Sequence, residues 1–252
     1  VKDAVVRHYD AKYADDVRND TSVLAVSDAP TERNQAAMRA LLQRLPAGGD
    51  VLEIAAGNGL LVRSLLSGGL RCGSYTASEI SDVRLGALRA TLSDPRVRVA
   101  RLDVEAAPDD HDGRYDAVVM VALIEHLFDP MRAMQRVRRW LKPGGFALVD
   151  TPNIAKWTRR LKLAAGRFPA TASRAEGLVT YEGTPVDLFD EGHLHYFTFA
   201  SLTRMLTLRC GFSRVERVPY ATRPHPLGTR AGYALACLWP EMFSEICLVA
   251  YA

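Results

Sequence analysis

From Asp50 to Asp150 the chain alternates between two kinds of apolar run. Short runs rich in Val, Ile and Ala predict strands at Asp50–Ile54, Ser74–Ser78, Val97–Leu102, Ala117–Val121 and Phe146–Asp150. Between them Leu60–Leu66, Asp82–Leu92 and Pro130–Leu141 carry helical spacing. Near-continuous apolar strands suit a parallel sheet covered on both faces, and strand–helix alternation predicts a doubly wound α/β sheet. Lys142-Pro-Gly-Gly145 reads as the turn into the fifth strand. Lys2–Leu45 is polar and helical, with a break at Asp28-Ala-Pro30.

The regularity then stops. No clear strand pattern occupies Asn153–Asp190. After it come a helix at Phe199–Cys210 and strands at Arg214–Pro219 and Glu245–Tyr251, separated by an insert over Pro224–Phe243. The whole of 1–252 reads as one domain: a helical cap at 1–45, a cofactor-binding core at 50–153, a lid insertion at 154–192, and a C-terminal part of the sheet at 193–252 with a second insertion at 224–243.

Composition changes little. Hydrophobic residues are 48% and charged residues 24% of 252, as in an ordinary globular protein. A net charge of +3 is too small to argue for nucleic acid. No run is long enough for a membrane span, and the opening residues show no signal-peptide pattern. The four cysteines are scattered, with no Cys-x-x-Cys pair. They predict reduced thiols and a cytoplasmic protein, not a disulfide frame or zinc site.

The chemistry begins at Val51–Gly59, where a strand ends on an acid and turns through Ala55-Ala-Gly-Asn-Gly59 into a helix. Such a loop at the end of a first strand marks a nucleotide-type cofactor site. A dinucleotide fingerprint needs a third small residue, and Val62 stands there. No Gly-Lys-Ser/Thr follows, so a P-loop is excluded. Glu53 would repel a pyrophosphate and suits a cationic, hydroxyl-bearing ligand.

The segment resembles motif I of class I S-adenosylmethionine-dependent methyltransferases, with Ala55 in place of the first glycine. Tyr75-Thr-Ala-Ser-Glu-Ile-Ser81, Arg101-Leu-Asp-Val-Glu105, Val119–Pro130 and Leu141–Val149 resemble the later motifs in order. The resemblance implies a Rossmann-like sheet of seven strands, mostly parallel with an antiparallel last strand, carrying helical lid insertions. Its cofactor would be S-adenosylmethionine, held by Glu53, Ala55, Ala56, Gly57, Asn58, Gly59, Glu79, Ile80, Asp103, Val104, Val121 and Tyr13. Glu79 would grip the ribose diol, Asp103 the adenine amino group, and Val104 the ring. His8, Tyr9 and Tyr13 resemble an N-terminal element that folds over the cofactor.

Transfer of a methyl group to an alcohol usually needs a base, and histidine suits it. Asp190-Glu-Gly-His-Leu-His-Tyr-Phe-Thr198 is similar to an element of bacterial methyltransferases linked to sugars, glycans and lipid carriers. In an extended segment His193 and His195 face one side. They are the candidate bases, with His126 lining the pocket. Quinone-pathway O-methyltransferases carry Glu-x-x-Glu-His where this chain has Ala122, Glu125 and His126. Two ligands are too few, so no metal is expected.

Six basic residues and no acid lie between Asn153 and Ala175, interleaved with Trp157, Leu161, Leu163 and Phe168. Either the apolar side of this segment rests on the core, or a basic amphipathic lid meets an anionic substrate or a membrane surface. The expected acceptor is a small-molecule hydroxyl, on a sugar or lipid-linked compound, in secondary metabolism. N-methylation, a phenol or quinone acceptor, and a silent cofactor-binding module are the alternatives. No nucleic-acid partner is expected, and the chain is read as a monomer or homodimer.

Overall fold

The computed structural model describes residues 29–106, 111–171, 193–222 and 228–252, together with Val6, Arg7, Asp10, Ala11 and Ala14 near the start. Tyr13, Tyr9, His8, His225 and most of the expected lid lie outside the described residues.

A helix α1 (Glu32–Arg44) leads into β1 (Gly49–Ile54), α2 (Leu60–Ser67), β2 (Cys72–Glu79), α3 (Asp82–Thr91) and β3 (Val97–Arg101). The second half runs β4 (Tyr115–Val121), α4 (Pro130–Trp140), β5 (Leu141–Thr151), α5 (Trp157–Ala164), α6 (Phe199–Leu208), β6 (Arg214–Arg217), α7 (Thr229–Leu238), α8 (Pro240–Phe243) and β7 (Ile246–Tyr251). Seven strands form one sheet in the order β3-β2-β1-β4-β5-β7-β6. The first five are parallel, and β7 pairs antiparallel to both β5 and β6. The expected Rossmann-like architecture is therefore the observed one.

Residue parity sorts the core. Leu52, Ile54, Val118, Met120, Ala147 and Val149 face α4 and α6, while Val51, Ala117, Val119, Phe146 and Leu148 face α1 and α2. Burial on both faces is why these strands read as continuous apolar runs. Lys142–Gly145 differs from expectation. It lies within β5 as a bulge, since Tyr115 pairs with Leu141 and Ala117 already pairs with Phe146. Gly144 takes φ +77, and a Cβ on Gly145 would meet the Asp116 carbonyl at 3.0 Å.

Helix starts follow side-chain chemistry. Asp129 accepts from the Arg132 amide with Pro130 in the first turn, and Thr198 and Ser201 form a capping box on α6. Strand order reverses between β1 and β4. That switch point opens a crevice at the carboxyl ends of the strands.

Candidate active site

The loop after β1 is built for close approach. Gly57 and Gly59 have φ +58 and +74. A Cβ on Gly59 would meet Leu88 at 3.0 Å, and one on Gly57 would meet Arg84 at 3.3 Å. The Ala56 amide donates to the Ser78 carbonyl at 2.9 Å, and Asn58 Oδ1 accepts from the Leu60 amide at 3.1 Å. Ala55 has φ +59. Its methyl group therefore sits where a glycine would be relaxed, and the departure from motif I carries backbone strain.

Two acids converge behind this loop. Glu79, at the end of β2, is buried. Its Oε2 accepts from the Gly57 amide at 3.1 Å and its Oε1 from the Ile80 amide at 2.9 Å, with Arg84 at 3.7 Å. Glu53 is buried with its Oε2 accepting from the Tyr75 hydroxyl at 2.8 Å. Burial pushes Glu53 up to about 8; the Tyr75 hydrogen bond opposes this, and the nearby Glu79 charge adds to it. Asp103 follows β3 and is half-buried. Its Oδ1 accepts from the Glu105 amide at 2.9 Å, and Val104 beside it is buried. Val121 closes β4, paired with Asp150.

A second cluster of polar side chains begins just after β4. A short 3₁₀ helix, Ile124–His126, carries Glu125 and His126. Glu125 is 1% exposed, and its Oε2 accepts from the Thr151 hydroxyl at 2.9 Å. Burial pushes its carboxyl up to about 7. The Glu125 carbonyl accepts from the Leu194 and His195 amides at 2.8 and 3.1 Å, which ties the histidine segment to the end of β4. His193 is consequently buried, its ring edge-on to His126 with centroids 4.6 Å apart. His193 Nδ1 lies 2.6 Å from the Thr171 hydroxyl. His195 is placed differently: it is half-buried, with Nε2 3.3 Å from the Phe128 carbonyl. The structure thus brings His126 and His193 together and leaves His195 outside the pair.

Several residues here were not singled out by the sequence. At the end of β5, buried Asp150 accepts from the Tyr220 hydroxyl at 2.6 Å and lies 3.3 Å from Arg33. Thr151 and Thr171 hold Glu125 and His193. Each is an ordinary residue made relevant by a partner far away in sequence. Only the position of Asp150 and Thr151 at the end of an apolar strand could have signalled them.

The basic segment also differs from its first reading. No residue of α5 is buried. Leu161 and Leu163 are 61% and 65% exposed, while Lys156 and Arg159 point inward to Glu245 at 2.9 and 2.7 Å. Burial pushes Glu245 up, but Arg159 and Lys156 outweigh it and bring the carboxyl to about 2. The buried acid thus holds Lys156 just before the helix and Arg159 in its first turn. Among the described residues, no helix is long and apolar enough to cross a membrane.

Comparison with known proteins agrees with this geometry. The family described as "Methyltransferase domain" matches residues 30–216. The biotin biosynthesis bifunctional protein BioCD of Bordetella avium is 32% identical over 143 residues, 54% of this chain and 30% of that protein. A ubiquinone biosynthesis O-methyltransferase of Alkalilimnicola ehrlichii is 31% identical over 108 residues, 42% of each. These matches span less than half the length of either relative. Among solved structures, an S-adenosylmethionine-dependent methyltransferase from Mesorhizobium loti superposes with TM-score 0.57 at 18% identity, covering 87% of this chain and 98% of that one. One from Thermotoga maritima gives 0.58 at 18% identity, covering 97% and 98%. At such identities the likeness is one of fold. The chain belongs to the methyltransferase-domain family and has the class I fold whose cofactor is S-adenosylmethionine.

Proposed function

We propose that the chain, with 1–252 acting as one unit, transfers the methyl group of S-adenosylmethionine to a hydroxyl of a sugar, glycan or related small acceptor. In this reading Glu53 faces the cofactor's ammonium, Ala55–Gly59 wrap the methionine–ribose portion, and Glu79 with Ile80 meets the ribose. Asp103 and Val104 receive the adenine, Val121 borders the sulfonium, and Tyr13 covers it. The observation that carries the acceptor side is the Glu125–His126–His193 cluster at the carboxyl end of β4, in which Glu125 and His193 are buried and His126 half-buried. A hydroxyl beside it gives its proton to an imidazole nitrogen, and the oxygen attacks the methyl carbon. The carbon–sulfur bond breaks with its electron pair left on sulfur. Alignment of these atoms supplies much of the acceleration, and the base about 10²- to 10⁴-fold more.

A phenol or quinone acceptor is the second reading. It is favoured by the matches to proteins named ubiquinone biosynthesis O-methyltransferase. Incubation with labelled cofactor and a panel of glycosides, nucleotide sugars, phenols and amines tests both. Label in a glycoside that is lost in His193→Ala, with cofactor binding by calorimetry intact, supports the leading reading. Label only in amines, or turnover unchanged in His193→Ala, overturns it. Absence of cofactor binding overturns the activity altogether.

A further inference from the structure

We infer that Glu125, His126 and His193 form a site for a divalent transition-metal ion of the zinc, cobalt or iron(II) kind. Donor atoms of the three side chains all lie within 4.8 Å of one another. An ion with bonds of about 2.1 Å holds its donors about 3.4 Å apart, so modest side-chain rotations close the set. Two observations beyond proximity point to a cation. Glu125 Oε1 is buried with no hydrogen-bond partner, although Thr151 satisfies Oε2. A buried carboxylate oxygen left without a partner is destabilising, and an ion at that position removes the cost. In addition, His193 Nδ1 lies 2.6 Å from the Thr171 hydroxyl, a contact that orients the ring. A hydrogen bond on the far nitrogen of a ligating histidine is the usual supporting contact at metal sites.

This set differs from the Glu-x-x-Glu-His arrangement considered from the sequence. Ala122 offers no ligand, and the third donor arrives from the segment that the Glu125 carbonyl anchors through the Leu194 and His195 amides. Counting ligands within one motif therefore missed it. Two imidazoles and one carboxylate suit borderline transition ions, whereas magnesium and calcium prefer oxygen. Three protein ligands leave a position open for an oxygen donor. The inference rests on the proposed acceptor site and replaces its proton path: with an ion bound, the imidazoles would be ligands instead of bases, and the ion would lower the pKa of a coordinated hydroxyl whose proton leaves to solvent base.

The test uses tag-free protein stripped by a chelator, with Cys237→Ser removing the exposed thiol, and needs neither cofactor nor acceptor. Titration with Co²⁺ should give a visible absorption band that saturates at a single ion per chain. Zn²⁺ should displace it, and excess Mg²⁺ should not. His193→Gln and Glu125→Gln should weaken binding by at least about tenfold, and Thr171→Val by roughly 10- to 100-fold, the range for lost supporting contacts. Thermal unfolding of each metal-free variant checks that it is folded. No band in the wild-type chain, or a band unchanged in folded His193→Gln, overturns the site. Because the readout is metal binding, its failure leaves methyl transfer standing, and failure of methyl transfer leaves the metal site standing.

Discussion

The carboxylate of Glu79 accepts the amide hydrogen of Gly57 at 3.1 Å, joining the end of β2 to the glycine loop after β1. The acid therefore sets the conformation of the loop before any ligand arrives. It is already hydrogen-bonded through both oxygens, since Ile80 donates to Oε1. Glu79→Gln turns one acceptor into a donor facing an amide. Charge-assisted hydrogen bonds are worth about 1.5–3 kcal/mol each, so cofactor affinity should fall roughly 10- to 100-fold by calorimetry. Affinity within about twofold of wild type would show that Glu79 does not organise the cofactor site.

Glu53 makes stability depend on pH. Burial raises its folded pKa to about 8, above the unfolded value of 4.5. Its contribution to stability is then fully present below 4.5 and lost as pH rises through 8. Glu53→Gln should flatten this fall in urea unfolding between the two values. A cofactor ammonium beside Glu53 would favour the carboxylate, so binding near pH 7 should release a proton. Calorimetry in buffers of different ionisation enthalpy measures that release, and its absence would remove Glu53 from the ammonium.

Ala55 stores strain that a glycine relieves. Its φ of +59 lies in the left-handed region, and placing a Cβ there costs about 1–2 kcal/mol. Ala55→Gly recovers part of that, less the greater entropy of an unfolded glycine. The variant should unfold at slightly higher denaturant with no loss of cofactor affinity. A destabilisation would mean that the methyl group of Ala55 packs usefully.

Glu245 gives the opposite pH dependence. With a folded carboxyl near 2 against 4.5 unfolded, its contribution is present above 4.5 and lost as pH falls through 2. Glu245→Gln leaves buried Lys156 and half-buried Arg159 without their counter-charge, which costs about 3–5 kcal/mol. Denaturation at pH 7 should show that loss, and it should shrink as wild type and variant are compared toward pH 2. An equal loss at both pH values would exclude the ion pairs as its source.

The strands were legible because both faces of β1, β4 and β5 are buried, so apolar character alone marks them. The glycine loop was legible because positive φ restricts residue choice. Ala55 was readable as a substitution but not as a strained one, because strain lives in a torsion angle. What stayed hidden depends on partners distant in the chain. Lys156 and Arg159 look like a solvated face until Glu245, 89 and 86 positions away, draws them inward. His193 looked paired with His195 by spacing, yet Thr171 and His126 are its actual neighbours.

Asp10 carries a consequence of its own. Its Oδ1 accepts from the Ser81 hydroxyl at 2.6 Å and the Asp82 amide at 2.9 Å, at the start of α3 and two residues past Glu79. The beginning of the chain thus completes a helix in its middle. A chain shortened past Asp10 would leave Ser81 as the cap of that helix but would take the acceptor from the Asp82 amide and from the Ser81 hydroxyl itself. The helix start just after Glu79 would be loosened by a change made more than seventy residues away.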